Sequence, residues 1–504
     1  MNRSIKKGDN KMTALHSMIS GTDIRGRALG EDVQLTEEIA FRLGQAFAAM
    51  LKEDGNASPL LYIGRDSRVS GPALLHACAE GMASAGGRVT EVGLCTTPAM
   101  FMTTVTPGCE FDGAVMITAS HLPWNRNGLK FFTAAGGAES SDIKAILSFD
   151  GDTPSTAPGR RETGNFLDIY AEQLRGKIIA AAGKDRPLEG RRIVVDAGNG
   201  AGGFFASKVL EPLGADVTGS LYLDPDGRFP NHIPNPELPE AMESIRAAVL
   251  ENRADLGVIF DTDVDRAGAV LPSGEELNRN RLIALISAIA LREHPGTAIV
   301  TDSITSTGLA SFITGLGGVH RRFKRGYRNV INEAIRLNAG GTDCQLAMET
   351  SGHGAMKENF FLDDGAYLIV KILIELACGR DVEALIRGLP EPAESREFRM
   401  RITESDFRAA GQAVLDALAD YAPVQPGWSV LPDNFEGVRV SLDKDHGDGW
   451  FLLRLSLHDP LLPLNIESDS PGGVKRIARE LAPFLAQQAG VDAEKLCEYA
   501  AGVE

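Results

Sequence analysis

The sequence predicts an α/β protein of several domains that ends in a smaller α+β domain, and three observations carry this expectation. First, 504 residues at about 150 residues per domain correspond to three or four domains. Second, five β-branched or aliphatic runs each end in polar, small residues: LLYIGRDS (60–67), AVMITAS (114–120), RIVVDAGNG (192–200), LGVIFDTDVD (256–265) and TAIVTDSITS (297–306). They read as buried strands. Third, helix-like stretches such as PELPEAMESIRAAVLENRA (236–254) lie between most of them, so strands alternate with helices as in right-handed βαβ units of mainly parallel sheets.

The elements follow in order. In such sheets ligands collect at the carboxyl ends of strands, where Asp66, Ser120, Asp196, Asp261 and Asp302 stand. Aspartate there also caps helices or forms turns. The charged, Pro/Thr/Gly-rich DTPSTAPGRRETG (152–164) reads as a loop ahead of the helical NFLDIYAEQLRGKIIAAAG, which sets a boundary near 165. LIALISAIAL (282–291) is about half the ~20 residues a membrane span needs and reads as a core helix. After LIRGLPEPAESREFRM (385–400) the character changes. GVRVSLD, WFLLRLSLH, a Pro-rich turn, a short LNIES strand and the helical GGVKRIARELAPFLAQQ describe an antiparallel α+β domain.

Composition narrows the functions. Apolar residues at 43% and charged residues at 24% are ordinary for a folded globular chain and exclude a disordered or fibrous one. The 51 basic and 68 acidic side chains leave a net charge of -17, which repels nucleic acid and anionic membranes. A phosphorylated ligand must therefore meet local clusters of Arg and Lys. The six cysteines show no metal or disulfide spacing, which fits a reducing cytosol. The leading MNRSIKKGDNKM is basic with no apolar segment behind it, unlike a secretory signal.

The most informative segment is TASHLPWNRNGLKFF (118–132). A strand ends at Thr118-Ala119-Ser120-His121, a loop rich in Pro, Asn and Gly follows, and Lys130 re-enters an apolar run. Ser120 beside His121 and Lys130 could be a nucleophile or phosphoryl carrier, since a hydroxyl is weakly reactive until a base or charge activates it. A Ser/His turn is the plainer alternative. Asp261, Asp263 and Asp265 close LGVIF at alternate positions; three carboxylates on one loop repel each other unless a cation sits among them, and Mg²⁺ with its hard oxygen ligands answers that. Arg266 could fork onto a phosphate or balance the local charge.

Further along, METSGHGAMKENFFLDDGAY (348–367) gathers Glu349, Ser351 and His353 around two glycines, a carboxylate and hydroxyl set able to grip vicinal sugar hydroxyls. Asp363 and Asp364 read as caps for the helix near Tyr367. RLSLHDPLLP (454–463) offers Arg454, Ser456 and His458, which alternation places on one face suited to phosphate. FKRGYR (323–328) and GTDIRGRA (21–28) add Lys324, Arg325, Arg328 and Arg25 beside glycines, although such residues are most often solvated surface.

Taken together and in this order, the four segments resemble the α-D-phosphohexomutase family, which includes phosphomannomutases, phosphoglucomutases and phosphoglucosamine mutases. The likeness runs from GTDIRG (21–26) to the loop at Arg454 and extends to IGRDSRVSGP (63–72), TTPA (96–99) and PDGRFPNHIPNPE (225–237). It implies three related mixed α/β domains and a C-terminal α+β domain around a central cleft. Residues 1–165 would carry the phosphoserine loop, 166–275 the metal loop, 276–392 the sugar-binding loop and 393–504 the phosphate-binding loop. It also implies a phosphoserine at Ser120, and Mg²⁺ held by Asp261, Asp263, Asp265 and a phosphoserine oxygen. Lys130 and Arg25, with His121, would help at the reacting hydroxyl; Glu349, Ser351 and His353 would face the sugar, and Arg454, Ser456 and His458 the idle phosphate, with Arg266 and Lys324 as further substrate contacts.

The implied reaction exchanges hexose 1-phosphate and hexose 6-phosphate, of mannose or glucose, through a bound hexose 1,6-bisphosphate. The substrate is a small molecule, with neither nucleic acid nor membrane as partner. This chain departs from the family pattern at Leu122, Thr262 and Met348, where Asn, Gly and Gly are usual, and at His458 and Asp459, where Thr and Glu are common. A phosphoglucosamine mutase is the alternative within the family; a metal-dependent sugar phosphatase and a non-catalytic sugar-phosphate-binding protein are alternatives outside it.

Overall fold

Each of the five apolar runs becomes a buried strand, because a run without polar residues can be accommodated only where both faces are covered. The computed structural model describes residues 17–502 apart from 54, 56, 150, 152–158, 433, 457 and 458. The first part of the 152–164 loop therefore lies outside the described residues. The chain divides into two compact units, Met1–Leu282 with Ser351–Leu385 and Ile283–Thr350 with Ile386–Glu504.

In the first unit the strands are β1 (Ile19–Ser20), β2 (Asp23–Arg27), β3 (Leu60–Arg65), β4 (Arg88–Leu94), β5 (Gly113–Ile117), β6 (Arg126–Thr133), β7 (Gly136–Gly137) and β8 (Arg161–Thr163). They form one sheet in the order β1-β2-β6-β5-β3-β4-β8, with β7 beside β6. Helices α1 (Glu37–Glu53) and α2 (Gly71–Ser84) pack closely, since a Cβ on Gly44 would stand 2.2 Å from the Cys78 carbonyl oxygen and one on Gly81 2.0 Å from that of Phe41. A second sheet runs β12-β11-β10-β9, from β9 (Ile193–Asp196), β10 (Leu256–Phe260), β11 (Ala267–Val270) and β12 (Glu276–Leu277). The helices Leu167–Ala182 and Pro239–Asn252 stand where the sequence places them.

The sheets are less parallel than the alternation of elements suggests. β3 pairs in parallel with β4 and β5, and β9 with β10, but β5 meets β6 and β10 meets β11 antiparallel. The reason lies in connection length, because residues 118–125 and 261–266 are too few for a parallel crossover of a dozen or more. The serine loop and the aspartate loop are thus hairpin connections, and register places Lys130 opposite Met116, beside the end of its own loop.

One side chain the sequence left without a role fixes the serine loop. Arg68 is fully buried. Its Nη1 donates to the carbonyls of Pro123 at 2.7 Å and Arg126 at 3.0 Å, and its Nη2 to those of Leu122 at 2.6 Å and Ser120. Nε donates to Asp66 Oδ2 at 3.2 Å, and Thr118 Oγ1 donates to the same oxygen at 2.7 Å. Burial pushes the Asp66 carboxyl up to about 6 against the pull of Arg68. One guanidinium thereby satisfies loop carbonyls that a buried hairpin would otherwise leave unpaired.

In the second unit, parallel β14 (Val319–Arg322), β13 (Ala298–Thr301) and β15 (Cys344–Met348) form a sheet segment, and Ile283–Leu291 are buried within the helix Arg279–Glu293, as a core helix requires. Among the described residues no helix is long and apolar enough to cross a membrane. The C-terminal sheet is antiparallel in the order β19-β20-β21-β22-β18-β23, from β18 (Glu394–Ile402), β19 (Trp428–Val430), β20 (Val438–Leu442), β21 (Gly449–Leu453), β22 (Leu461–Ser468) and β23 (Val491–Asp492). Two corrections arise here. The LNIES strand begins earlier, at Leu461, and ESREFRMRI, read only as a boundary, is a strand whose buried Phe398, Met400 and Ile402 alternate with charged residues.

Replacing Arg68 with Met should destabilise the fold by about 3–5 kcal/mol, because a buried carboxylate loses its cation. Adding Asp66→Asn should recover part of that loss, and equal thermal midpoints for R68M and the wild type would contradict this. A second expectation concerns His320, whose Nε2 lies 2.8 Å from Thr301 Oγ1. Burial first, then Arg322 and Arg439, push its imidazole down to about 3. The unfolded chain takes up that proton near pH 6.5, so this contribution to stability is intact above pH 6.5 and is lost as pH falls toward 3. H320Q should therefore show a smaller fall in thermal midpoint between pH 7 and pH 5 than the wild type; an equal fall would refute the assignment.

Candidate active site

In the first unit the serine loop and the aspartate loop meet. Ser120 is 1% exposed and sits at φ +50°, and Val264 in the aspartate loop at φ +67°; side chains in that left-handed region, above all a β-branched one, are strained, as is common at functional sites. Ser120 Oγ donates to Asp261 Oδ2 at 2.9 Å. Lys130 Nζ bridges Asp263 Oδ2 at 3.1 Å and Asp265 Oδ2. Thr97, which the sequence left without a role inside TTPA, donates its hydroxyl to Asp263 Oδ2 at 2.5 Å and its amide to the Asp263 carbonyl at 2.9 Å.

The three aspartates are fully buried and offer one oxygen each within 4.8 Å of one another. Burial, then Asp265 and Asp263, push the Asp261 carboxyl well above the usual range. Burial also works against Asp265, yet the Lys130 and Arg266 cations hold it well below that range. Asp263 Oδ1 and Asp265 Oδ1 are buried with no hydrogen-bond partner. Hard, close-set and partly unsatisfied carboxylate oxygens are the donor set a divalent cation fits, so this triad could hold a metal.

His121 Nδ1 lies 3.4 Å from Ser120 Oγ. Arg266, then burial and Arg25, hold its imidazole down at about 2, so it is neutral near pH 7. Arg25 lies on β2 opposite Gly128 and donates to Asp23 Oδ2 at 2.7 Å. Ser351 and His353 are buried in the same unit. The hairpin of β16 (Gly354–Met356) and β17 (Leu362–Asp363) changes the reading of the two aspartates at its end. Asp364 does cap the helix Gly365–Ala377 through the Tyr367 amide, but Asp363 Oδ2 stands 2.5 Å from His353 Nδ1.

Asp265, His353 and Asp363 also lie close enough to hold a cation. Arg266 Nε, however, donates to His353 Nε2 at 2.8 Å. A guanidinium only donates, so Nε2 must be the unprotonated nitrogen and the ring proton sits on Nδ1, facing Asp363. In that tautomer Nδ1 carries a proton and the Nε2 lone pair is taken by Arg266, so neither ring nitrogen is open to a metal.

In the second unit, Glu349 is buried and its Oε1 accepts from the Gly326 amide at 2.6 Å, where Gly326 takes φ +113°. Asp302 accepts from Thr350 Oγ1 at 2.7 Å, and burial, then Glu349, push it up to about 7. Lys324 is exposed. Arg454 and Ser456 lie just past β21, where their amides still pair with the carbonyls of Pro463 and Leu461. His458 lies outside the described residues. A residue with no sequence signal links this region: Glu436 accepts from Ser303 Oγ at 2.8 Å and the Arg325 amide at 2.7 Å, and stands 3.5 Å from Arg454 Nη1.

Comparison with known proteins follows the same order along the chain. Residues 18–149, 168–274 and 278–392 match the models of phosphoglucomutase/phosphomannomutase α/β/α domains I, II and III. The chain is 33% identical over 467 residues to a phosphomannomutase/phosphoglucomutase of Pseudomonas putida, covering 92% of this chain and 94% of the relative. It is 32% identical over 460 residues to a phosphoglucomutase of Neisseria gonorrhoeae, covering 90% and 94%. A solved phosphoglucomutase/phosphomannomutase family protein from Burkholderia thailandensis superposes with a TM-score of 0.79 at 28% identity, covering 94% of this chain and 98% of that one. Three consecutive domain matches and likeness over nine-tenths of its length make this chain a member of the phosphoglucomutase/phosphomannomutase family, the α-D-phosphohexomutases.

Proposed function

We propose that this chain interconverts the 1-phosphate and 6-phosphate of mannose, glucose or both, through a phosphorylated Ser120 and a bound hexose 1,6-bisphosphate. The observation that carries the reading is a buried serine hydroxyl 2.9 Å from Asp261, in a cluster where Lys130 bridges the other two aspartates. In the first step the bond from phosphorus to Ser120 Oγ breaks, a bond from phosphorus to a sugar hydroxyl oxygen forms, and the proton of the sugar hydroxyl ends on Ser120 Oγ. The bisphosphate then turns end over end, and its other phosphoryl group returns to Ser120.

The chain's own residues supply positioning and charge, the main requirements of phosphoryl transfer. Ser120 is held at its carbonyl by Arg68, and its Oγ is turned to the aspartate loop by the bond it donates to Asp261. Lys130 and Arg25 would offset charge on the moving group, and neutral His121 could accept a hydrogen bond from the reacting hydroxyl. Mg²⁺, held by Asp261, Asp263 and Asp265 with an oxygen of phosphorylated Ser120, would supply charge neutralisation for the transferring group. Glu349, Ser351 and His353 would meet the sugar, and Lys324 would be a further substrate contact. Arg454, Ser456 and His458 would hold the phosphate that is not reacting, and Arg266 would fork onto a phosphoryl oxygen. A glucosamine phosphate as substrate is the second reading within the family.

Purified protein with Mg²⁺ and a trace of hexose 1,6-bisphosphate should convert glucose or mannose 1-phosphate to the 6-phosphate, and S120A should lower the rate to background. K130A should reduce kcat by about 10²–10³, the usual effect of losing one preorganised charge contact. EDTA should stop conversion and Mg²⁺ should restore it. Conversion that persists in S120A, or stoichiometric release of inorganic phosphate in place of isomer, would sink the proposal.

A further inference from the structure

The aspartate loop is held from a second side, by the segment that follows Ser351. Arg266 and His353 form an antiparallel backbone bridge, the Ala267 amide donates to the Gly352 carbonyl at 3.3 Å, and the Gly365 amide to that of Val264 at 3.1 Å. The fit is tight at both glycines. A Cβ at Gly365 would stand 2.6 Å from the Arg266 carbonyl carbon, and one at Gly352, itself at φ +94°, 2.8 Å from the Ala267 oxygen. Asp363 is locked in turn, since its Oδ1 accepts from the Gly354 amide at 3.0 Å. His353, Asp363 and Arg266 are all buried.

The side chains form one chain of directed contacts. Asp363 Oδ2 lies 2.5 Å from His353 Nδ1, His353 Nε2 accepts from Arg266 Nε at 2.8 Å, and Arg266 Nη1 donates to Glu237 Oε2 at 3.3 Å. Each link sets the next. Asp363 keeps the ring proton on Nδ1, which leaves a lone pair on Nε2, which only a donor such as Arg266 Nε–H can meet. Glu237 fixes the same guanidinium from the domain II segment that precedes helix Pro239–Asn252. With Nε and one Nη1 hydrogen committed, the Nη2 group and the other Nη1 hydrogen stay directed elsewhere, and a planar fork held at two edges can offer the rest to a phosphate in one orientation.

We infer that Asp363 and Glu237 are positioning residues, which act through His353 and directly to aim Arg266 at the substrate's phosphoryl group. The inference rests on the proposed reading of Arg266 as a phosphate contact. Neither residue touches substrate on this account. Glu237 falls inside the PDGRFPNHIPNPE likeness with no role of its own there, and Asp363 reads in sequence only as a helix cap.

The test uses the full-length protein, dephosphorylated and treated with EDTA, and measures its affinity for glucose 1-phosphate by titration calorimetry. R266A should weaken binding about tenfold. D363A and E237A should each weaken it by a lesser factor, and each double variant with R266A should bind no more weakly than R266A alone, because residues acting through one group are not additive. A general loss of structure would add to R266A instead. If D363A does not fold, E237A, at a side chain 25% exposed, carries the same cycle. Nitrogen-15 spectra of histidine-labelled protein supply a readout that packing alone does not move: His353 should carry its proton on Nδ1, and D363A should lose that preference while R266A keeps it. A proton on Nε2 in the wild type, or D363A and E237A binding like the wild type while R266A is impaired, would overturn the positioning role alone. R266A binding like the wild type would overturn it together with the role of Arg266, while the S120A conversion assay separately decides the mutase reading.

Discussion

Three carboxylates buried on one six-residue loop are the constraint from which the rest of the site follows. Asp261, Asp263 and Asp265 have almost no exposure, and like charges at that spacing out of water are tolerated only with compensating cations and donors. The protein supplies them from several directions: Lys130 from β6, Arg266 from the loop's own end, the Thr97 hydroxyl from a helix start and the Ser120 hydroxyl from the facing hairpin. Two oxygens still lack a partner. A site of this kind could hold a hard cation, whose charge would meet the oxygens the protein leaves unsatisfied.

The hairpin connections explain how so much charge is kept in place. A strand-to-helix turn could present one residue, but a hairpin between two buried strands sets both ends of the loop by register, which is why Lys130 stands beside a serine ten residues earlier. The cost is backbone carbonyls turned inward and residues pushed to positive φ. Arg68 offsets the first, and the strain at Ser120 and Val264 persists because the surrounding contacts over-determine it. Arg68 and the Ser351–Gly365 segment thus serve two facing loops in the same way, as fixed donors and tight backbone contacts behind Ser120 and the aspartates.

Much of this is legible in the sequence, and what is not has identifiable causes. The strands end where their apolar runs end, at Arg65, Ile117, Asp196, Phe260 and Thr301, because burial on both faces leaves a continuous signal. The aspartate triad is readable because its spacing is incompatible with a loop that lacks a cation. Parallel against antiparallel pairing is not visible in alternation but is implied by loop length. β18 hides its period-2 pattern under charges, since only Phe398, Met400 and Ile402 face the core. Arg68, Glu237, Asp363 and Glu436 are invisible as functional residues for a common reason: each acts through a partner 10 to 111 positions away or through carbonyls of another segment, and a single charged residue in a loop reads as solvated surface until its partner is placed.

The account stands on Ser120 as the residue that carries the phosphoryl group. The most direct measurement is to label the protein with hexose 1,6-bisphosphate bearing ³²P, locate the label by mass spectrometry of its peptides, and chase with unlabelled hexose 1-phosphate. The account predicts label on Ser120 that moves quantitatively into sugar phosphate. Label on another residue, or label from Ser120 appearing as inorganic phosphate, would contradict it.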